Sequence, residues 1–471
     1  MTDRTLRRLP LLLWASGVIA LWGLAGCSLT PNYERPEAPV PAQFFDAHAR
    51  ASIGSSAAAA DVAWQDFFND ARLKRLIDLA LRNNRDLRIA VLNIEQTRAL
   101  WQIKRADELP SVSAGVNGSR LPNAQGTITS TYTTGLSVTS YEVDLWGRVR
   151  ALSQSAQSQY LATEEARKTV HIALVASVAN AYVNLMADDA LLQIARDTLA
   201  SRQTSLQLTQ LKFDHQAASQ LELSLAQSLW EGAKVSLAQL SRQRAQDLNA
   251  LELLLGQAIP SDLPQGLLLS DWALLPDLPA GTPADLLLRR PDVRQAEQLL
   301  LANNANIGAA RAAFFPRISL TGSAGLVSGD MSALFNNGNG AWSFTPQLLL
   351  PIFDAGRNQA NLEAAKIGRD IALAQYEKTI QVGFREVSDA LIARDTYERQ
   401  VQAQNAQLAA ERKRLQLTDL RYTQGASNAL ELLDAKRTLF ATEQAAVLAQ
   451  AQQVQSLVNL YKVLGGGWTA K

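Results

Sequence analysis

The sequence predicts an α+β protein made of a duplicated unit, in which a strand hairpin runs into a very long helix that reverses and returns. Three observations predict it. Of the 16 prolines, none lies between Asn123 and Ile259 or from Ile352 onward, while six cluster in residues 260–291. An interior proline costs a helix about 3 kcal/mol, so the two proline-free spans can be long helices and the cluster is their connector. Apolar residues recur every seventh position, at Val401, Leu408, Leu415 and Tyr422 and again at Leu433, Phe440, Val447, Val454 and Tyr461. That spacing keeps one seam of a helix against a partner helix. Two further stretches alternate with period two, the signature of strands.

In chain order, residues 1–26 read as a secretory signal. Arg4, Arg7 and Arg8 precede an apolar run, and Leu24-Ala25-Gly26-Cys27 has the form of a lipobox. Cys27 is the single cysteine, cannot form an intramolecular disulfide, and is expected to carry the lipid, palmitate included. Residues 27–63 form the lipidated tether, with four prolines in 31–41 suiting an extended chain.

The first repeat spans 64–259. It opens on a helical pattern from Trp64, with Leu73, Leu76, Ile77 and Leu81 at helix spacing, which stops at Pro110. A hairpin over about 111–143 follows, in which Val112, Ala114 and Val116 alternate with small polar residues, as do Tyr132, Leu136 and Val138. After Gly147-Arg148 a proline-free run of about 65 residues allows about 100 Å of helix. Its seam is Leu192, Leu199, Leu206 and Phe213; Ser219 and Glu222 then form a capping box that restarts the chain as a helix.

The connector 260–291 leads to the second repeat, 292–464, and a tail, 465–471. Its hairpin, about 317–351, sets Ile318, Leu320, Ala324 and Leu326 against polar neighbours, with an Asn/Gly loop before Trp342 and Phe344. Gly356-Arg357 leads out. The second long helix turns at Gly425 and restarts at Asn428, with Glu431 completing a capping-box pattern about 209 residues after Ser219 and Glu222. Gly425 suits a helix C-terminus; the first repeat has Gln216 there, so that turn is expected to find its cap around Ala217 and Ala218.

Formal net charge is +1, falling to about −1 without the signal, which gives no reason to expect a nucleic-acid partner. His48, His171 and His215 lack metal-protease spacing, no Walker loop is present, and Gly322-Ser323-Ala324-Gly325 lacks the first glycine of a nucleophile elbow. Neither cofactor nor enzymatic activity is expected, and any work of transport must be powered by a partner.

After the signal no run of about 18 apolar residues is evident, so a membrane crossing would have to use strands in a closed barrel. About four strands per chain are too few for one, since the smallest need about eight. Two chains would make about eight strands around a filled interior; three would make about twelve around a lumen. Spacing alone leaves both open. A lipid-anchored periplasmic coiled-coil scaffold with soluble hairpins would share the same helices.

Several motifs carry a resemblance: the Cys27 lipobox, PNYERPEAPVP, WQDFFND, DLWGR, LLLRRPDVRQAE, FFPRISLTGSAG, FDAGR, RYTQGASNALELLDAKR and LVNLYKVLGGGW. With them the chain resembles the outer membrane efflux proteins of the TolC-like superfamily, in the lipoprotein subgroup serving resistance-nodulation-division pumps. The resemblance implies a homotrimer with a twelve-stranded transmembrane β-barrel, continued by a periplasmic α-helical coiled-coil barrel and belted by an equatorial domain. It implies an exit duct in antibiotic resistance; a duct for type I protein secretion is the alternative within the superfamily. Ser28 after the cysteine resembles outer membrane lipoproteins. The implied partners are a periplasmic membrane fusion (adaptor) protein, the inner membrane pump and outer membrane lipid. Carried over by position, Tyr422, Leu430, Asp434 and Arg437 would constrict the periplasmic aperture, and the turns bearing Gln216, Ser219, Glu222, Gly425, Asn428 and Glu431 would meet the adaptor.

Overall fold

A computed structural model describes residues 28–41, 62–122, 124, 126–274, 289–336 and 338–468. The signal, Cys27, His48, the Ala/Ser-rich stretch, much of the connector and the last three residues lie outside the described residues. Short helices α1 (Trp64–Phe67) and α2 (Ala71–Asn83) precede α3 (Arg85–Ala106), strands β1 (Val112–Pro122) and β2 (Ile128–Val143), and the long α4 (Arg148–Asp214) with its return α5 (Gln220–Leu255). The pattern then repeats as α6 (Pro291–Ala312), β3 (Arg317–Ser328), β4 (Gly340–Leu349), α7 (Arg357–Thr423) and α8 (Ala429–Val463). Both α4 and α7 have 67 residues, about 100 Å of helix each.

The chain divides into two compact units, one of residues 1–38, 92–164 and 295–378, the other of 39–91, 165–294 and 379–471. The first contains the sheet. The hairpins of the two repeats join edge to edge, giving one antiparallel sheet in the order β1-β2-β3-β4. At the junction Gly135 faces Gly325, and a Cβ on Gly325 would sit 2.0 Å from the Thr134 carbonyl oxygen. Only glycine permits that approach.

Register assigns the faces of the sheet. Val112 pairs with Val138, Ala114 with Leu136, Leu136 with Ala324, and Ala324 with Trp342, while Gly322 pairs with Phe344 and Ile318 with Leu348. Directly paired residues share a face, so these form an apolar one. Asn117 with Thr133, Ser137 with Ser323, Ser323 with Ser343 and Ser319 with Gln347 make the opposite face polar. Between Val138 and Tyr141 the register shifts by one residue at Ser140, whose φ is 54°. This bulge returns Tyr141 and Val143 to the apolar face and Glu142 to the polar one, where Glu142 pairs with Arg148 at 2.7 Å and Arg317 at 2.6 Å.

The strands end in matching turns. Asp144 accepts from the Arg150 N–H at 2.8 Å, and Asp354 from those of Gly356 and Asn358 at 3.0 and 2.9 Å. Trp146 stacks on Phe315, centroids 4.6 Å apart, and donates to the Pro316 carbonyl. The proline-rich tether is more than a spacer. Arg35 grips Glu297 with two bonds of 2.8 and 2.9 Å, Tyr33 donates to the same carboxylate, and Asn304 and Arg311 donate to the carbonyls of Pro31 and Leu29. Gly308 leaves room for Thr30 against α6.

The second unit has the larger core. Phe67 stacks on Tyr461 at 4.0 Å, and Leu73, Leu76, Ile77, Val178, Val183, Leu251, Leu255 and Val458 are buried with them. Asp70 caps α2 through the Leu73 N–H and accepts from that of Leu267, while Asn84 caps α3 through Leu87 and donates to the Leu254 carbonyl. Buried Arg290 binds Asp292, Glu386 and the Val463 carbonyl, pinning the end of the connector. The expectation that no segment after the signal is apolar enough to span a membrane fails at one helix. Helix α4 does contain an 18-residue window apolar and long enough to cross a membrane, but 56% of that window is buried within the protein. Val175, Val178, Ala179, Tyr182 and Val183 give it that character by packing into this core.

Candidate functional site

The two helix reversals lie in the second unit. At the end of α7, Gly425 takes φ 74°, its N–H bonds the Tyr422 carbonyl at 3.1 Å, and the Ala426 N–H bonds that of Arg421 at 2.8 Å. This is a Schellman motif. At the end of α4 the same motif forms on a different residue: Gln216 takes φ 60°, with Gln216 N–H to Phe213 at 2.9 Å and Ala217 N–H to Lys212 at 2.7 Å. Gln216 therefore adopts the left-handed conformation itself. The cap does not move to Ala217 and Ala218, because the paired bonds offset the cost of a side chain at positive φ.

The restarts also differ. Ser219 and Glu222 make a complete capping box, Ser219 Oγ accepting from the Glu222 N–H at 3.2 Å and Glu222 accepting from the Ser219 N–H at 2.6 Å. The Ser219 N–H, and after it the Ser219 hydroxyl donating to the same carboxylate at 3.0 Å, hold the Glu222 carboxyl below its ordinary range. Asn428 accepts from the Glu431 N–H at 2.8 Å, but the Glu431 carboxylate takes the Ser427 hydroxyl at 2.5 Å, so the second box is half made.

Cross-links join the reversals. Lys212 donates to the Tyr422 hydroxyl at 2.9 Å and lies 4.8 Å from its ring centroid, and Lys436 donates to Ser205 Oγ at 2.8 Å. Burial pushes the Lys436 ammonium down from its usual range. Between these contacts lies a cavity of about 390 Å³ whose walls include Leu208, Asp419, Tyr422, Leu432 and Lys436. Also on α8, Asp434 binds Arg437 at 2.7 Å and Arg414 of α7 at 3.0 Å. The Arg437 hydrogen bond, reinforced by Arg414, holds the Asp434 carboxyl below the usual carboxylate range.

A sequence profile described as outer membrane efflux protein matches residues 76–257 and 282–466, most of the chain. The chain belongs to the outer membrane efflux protein family. It is 49% identical over 453 residues to a toluene efflux pump outer membrane protein, TtgC, of Pseudomonas putida, covering 94% of this chain and 93% of that one. It is 47% identical over 461 residues to the solvent efflux pump outer membrane protein SrpC of Pseudomonas putida, covering 96% and 98%. Among solved structures, the open state of the Neisseria gonorrhoeae MtrE outer membrane channel superposes with a TM-score of 0.87 at 41% identity, covering 94% of this chain and 99% of that one. This family member therefore has the TolC-like channel fold and is an outer membrane protein, in a family of channels.

Among the four residues expected at the aperture, the structure brings Asp434 and Arg437 together as an exposed helical pair and leaves Leu430 61% exposed. Tyr422 is engaged separately, by Lys212. Two partners escape a reading by spacing, Arg414 and Lys212, because each lies on the facing helix of a pair. Their only signal is that basic residues recur near the reversals. Arg414 also binds Glu411 at 3.2 Å, so Asp434, Glu411, Arg414 and Arg437 balance their charges within one chain.

Proposed function

We propose that three copies of this chain close a twelve-stranded barrel, continue it as a helical tunnel, and serve as the passive exit duct of a tripartite efflux pump. The observation that carries this is the sheet. Its outer strands β1 and β4 each have one partner among the described residues, and its faces are segregated into apolar and polar. An open edge cannot sit in lipid, whereas closure with neighbouring copies satisfies both edges and turns the apolar face outward. Three copies rather than two leave a lumen. The adaptor would dock at the two helix reversals, the inner membrane pump would supply the energy, and Cys27 would carry the lipid anchor. Cargo of the kind named for the relatives, toluene and other solvents, fits a duct whose selectivity lies in the pump.

Tyr422, Leu430, Asp434 and Arg437 form the aperture in this proposal, with Arg414 and Lys212 as their braces. Removing the Asp434 carboxylate frees Arg437, leaves Arg414 to Glu411 of its own helix, and removes the ion pair between α7 and α8 at that level. Asp434→Ala is therefore expected to raise resting single-channel conductance in a planar bilayer severalfold, while the native mass of the Cys27→Ser protein in detergent corresponds to three chains. Wild-type conductance in Asp434→Ala would remove the aperture assignment; a soluble, monomeric Cys27→Ser protein would remove the duct and favour the scaffold.

A further inference from the structure

Well away from the reversals in sequence, α4 and α5 face each other through four charged groups. Arg244 of α5 binds Asp189 of α4 at 2.5 Å, both of them partly exposed. One residue earlier on α4, Asp188 is 95% buried, being 5% exposed, and its Oδ2 is buried without a hydrogen-bond partner among the described residues. It faces Asp247 of α5, which accepts from Gln243 at 3.1 Å. Two ionised carboxylates are acceptors only, so the unpartnered Oδ2 and the facing Asp247 can be reconciled by one proton held between them. The other charged groups acting on Asp188 are Asp189 and Arg244, and Arg244 is already spent on Asp189. Among the described residues no group of three or more acidic or histidine side chains is arranged to hold a metal ion, so a bridging cation is not the natural occupant.

We propose that Asp188 and Asp247 form a single-proton site that clamps α4 to α5, so that proton binding tightens this helix pair and proton loss loosens it. Burial, then the hydrogen bond and charge of Asp247, then Asp189 push the Asp188 carboxyl up to about 7. The folded value lies above the unfolded one, about 3.9, so the folded state binds more protons between them and the clamp weakens as pH rises through that interval. Above about 7 no further weakening is expected.

Two measurements on the full-length protein in lipid bilayers test this. In infrared difference spectra, titration from pH 5 to 9 is expected to remove one protonated-carboxyl C=O band with a midpoint near 7, absent from Asp188→Asn and moved to lower pH in Asp247→Asn. In hydrogen exchange corrected for intrinsic rates, protection of segments 185–192 and 243–250 should fall about tenfold per pH unit from 5 to 7 and then level off, whereas Asp188→Asn, a neutral isostere of the protonated acid, should stay flat. An unchanged band or pH slope in Asp188→Asn overturns the proposal. So does restoration of protection at pH 8 by added magnesium, which would make the site a cation site. Should Asp188→Asn fail to fold, the Asp247→Asn midpoint decides, and an unmoved midpoint rejects the pair.

Discussion

The two helix reversals are the same device built with different residues. Both end on a Schellman motif and both restart on a side-chain cap, yet the first puts Gln216 where the second has Gly425, and the first completes a capping box that the second only half makes. The duplication preserved the backbone hydrogen-bond pattern rather than a particular residue. The first reversal carries a less favourable residue in its turn and a stronger cap at its restart; the second has the reverse.

Exchanging residues between the reversals breaks this balance. The largest effect is expected from Gly425→Gln, which gives the second reversal a side chain at φ 74° without a full capping box; it should lose about 1–2 kcal/mol, read as faster hydrogen exchange over residues 420–432. Next, Ser219→Ala removes the hydroxyl half of the box, leaving only the backbone N–H of residue 219 on Glu222, and should cost the first reversal about 1 kcal/mol. The cap is also sensitive to acid. Because the folded Glu222 carboxyl is held below its ordinary range, its contribution is complete above the unfolded value, about 4.3, and is lost as pH falls through the folded value. Protection of amides 219–223, from exchange corrected for intrinsic rates, should accordingly fall between pH 5 and 3, and Glu222→Gln should abolish that dependence. The smallest effect, and the one of opposite sign, is Gln216→Gly, expected to stabilise the first reversal by up to about 1 kcal/mol; a loss would mean that the Gln216 side chain makes a contact that matters more than backbone strain.

Much of the architecture is legible because it depends on local rules. The absence of proline and the sevenfold seams anticipate α4 and α7; alternation at Val112–Val116 and Ile318–Leu326 anticipates the strands; Ser219 and Asn428 mark where helices restart. The braces of the candidate aperture are not legible in this way. Lys212 meets Tyr422 across 210 positions and Arg414 meets Asp434 across 20, and neither separation corresponds to a helical or strand period. The strap of residues 28–35 on α6 is hidden for the same reason: Pro31 predicts extended chain, but only Glu297, Asn304 and Gly308 specify where that chain lies.

Where helices and strands run, where they reverse, that the unit is duplicated and, through its motifs, which family the chain resembles can all be read from the residues in order. Those features rest on steric limits and periodicities acting within a few residues. Folding in three dimensions sets the rest: that β2 pairs with β3 through Gly135 and Gly325, that a bulge at Ser140 returns Glu142 to the polar face, that Gln216 itself turns left-handed, and that Asp188 is buried opposite Asp247. Each depends on which distant groups come into contact, and their close approach, register and desolvation are set by packing rather than by spacing along the chain.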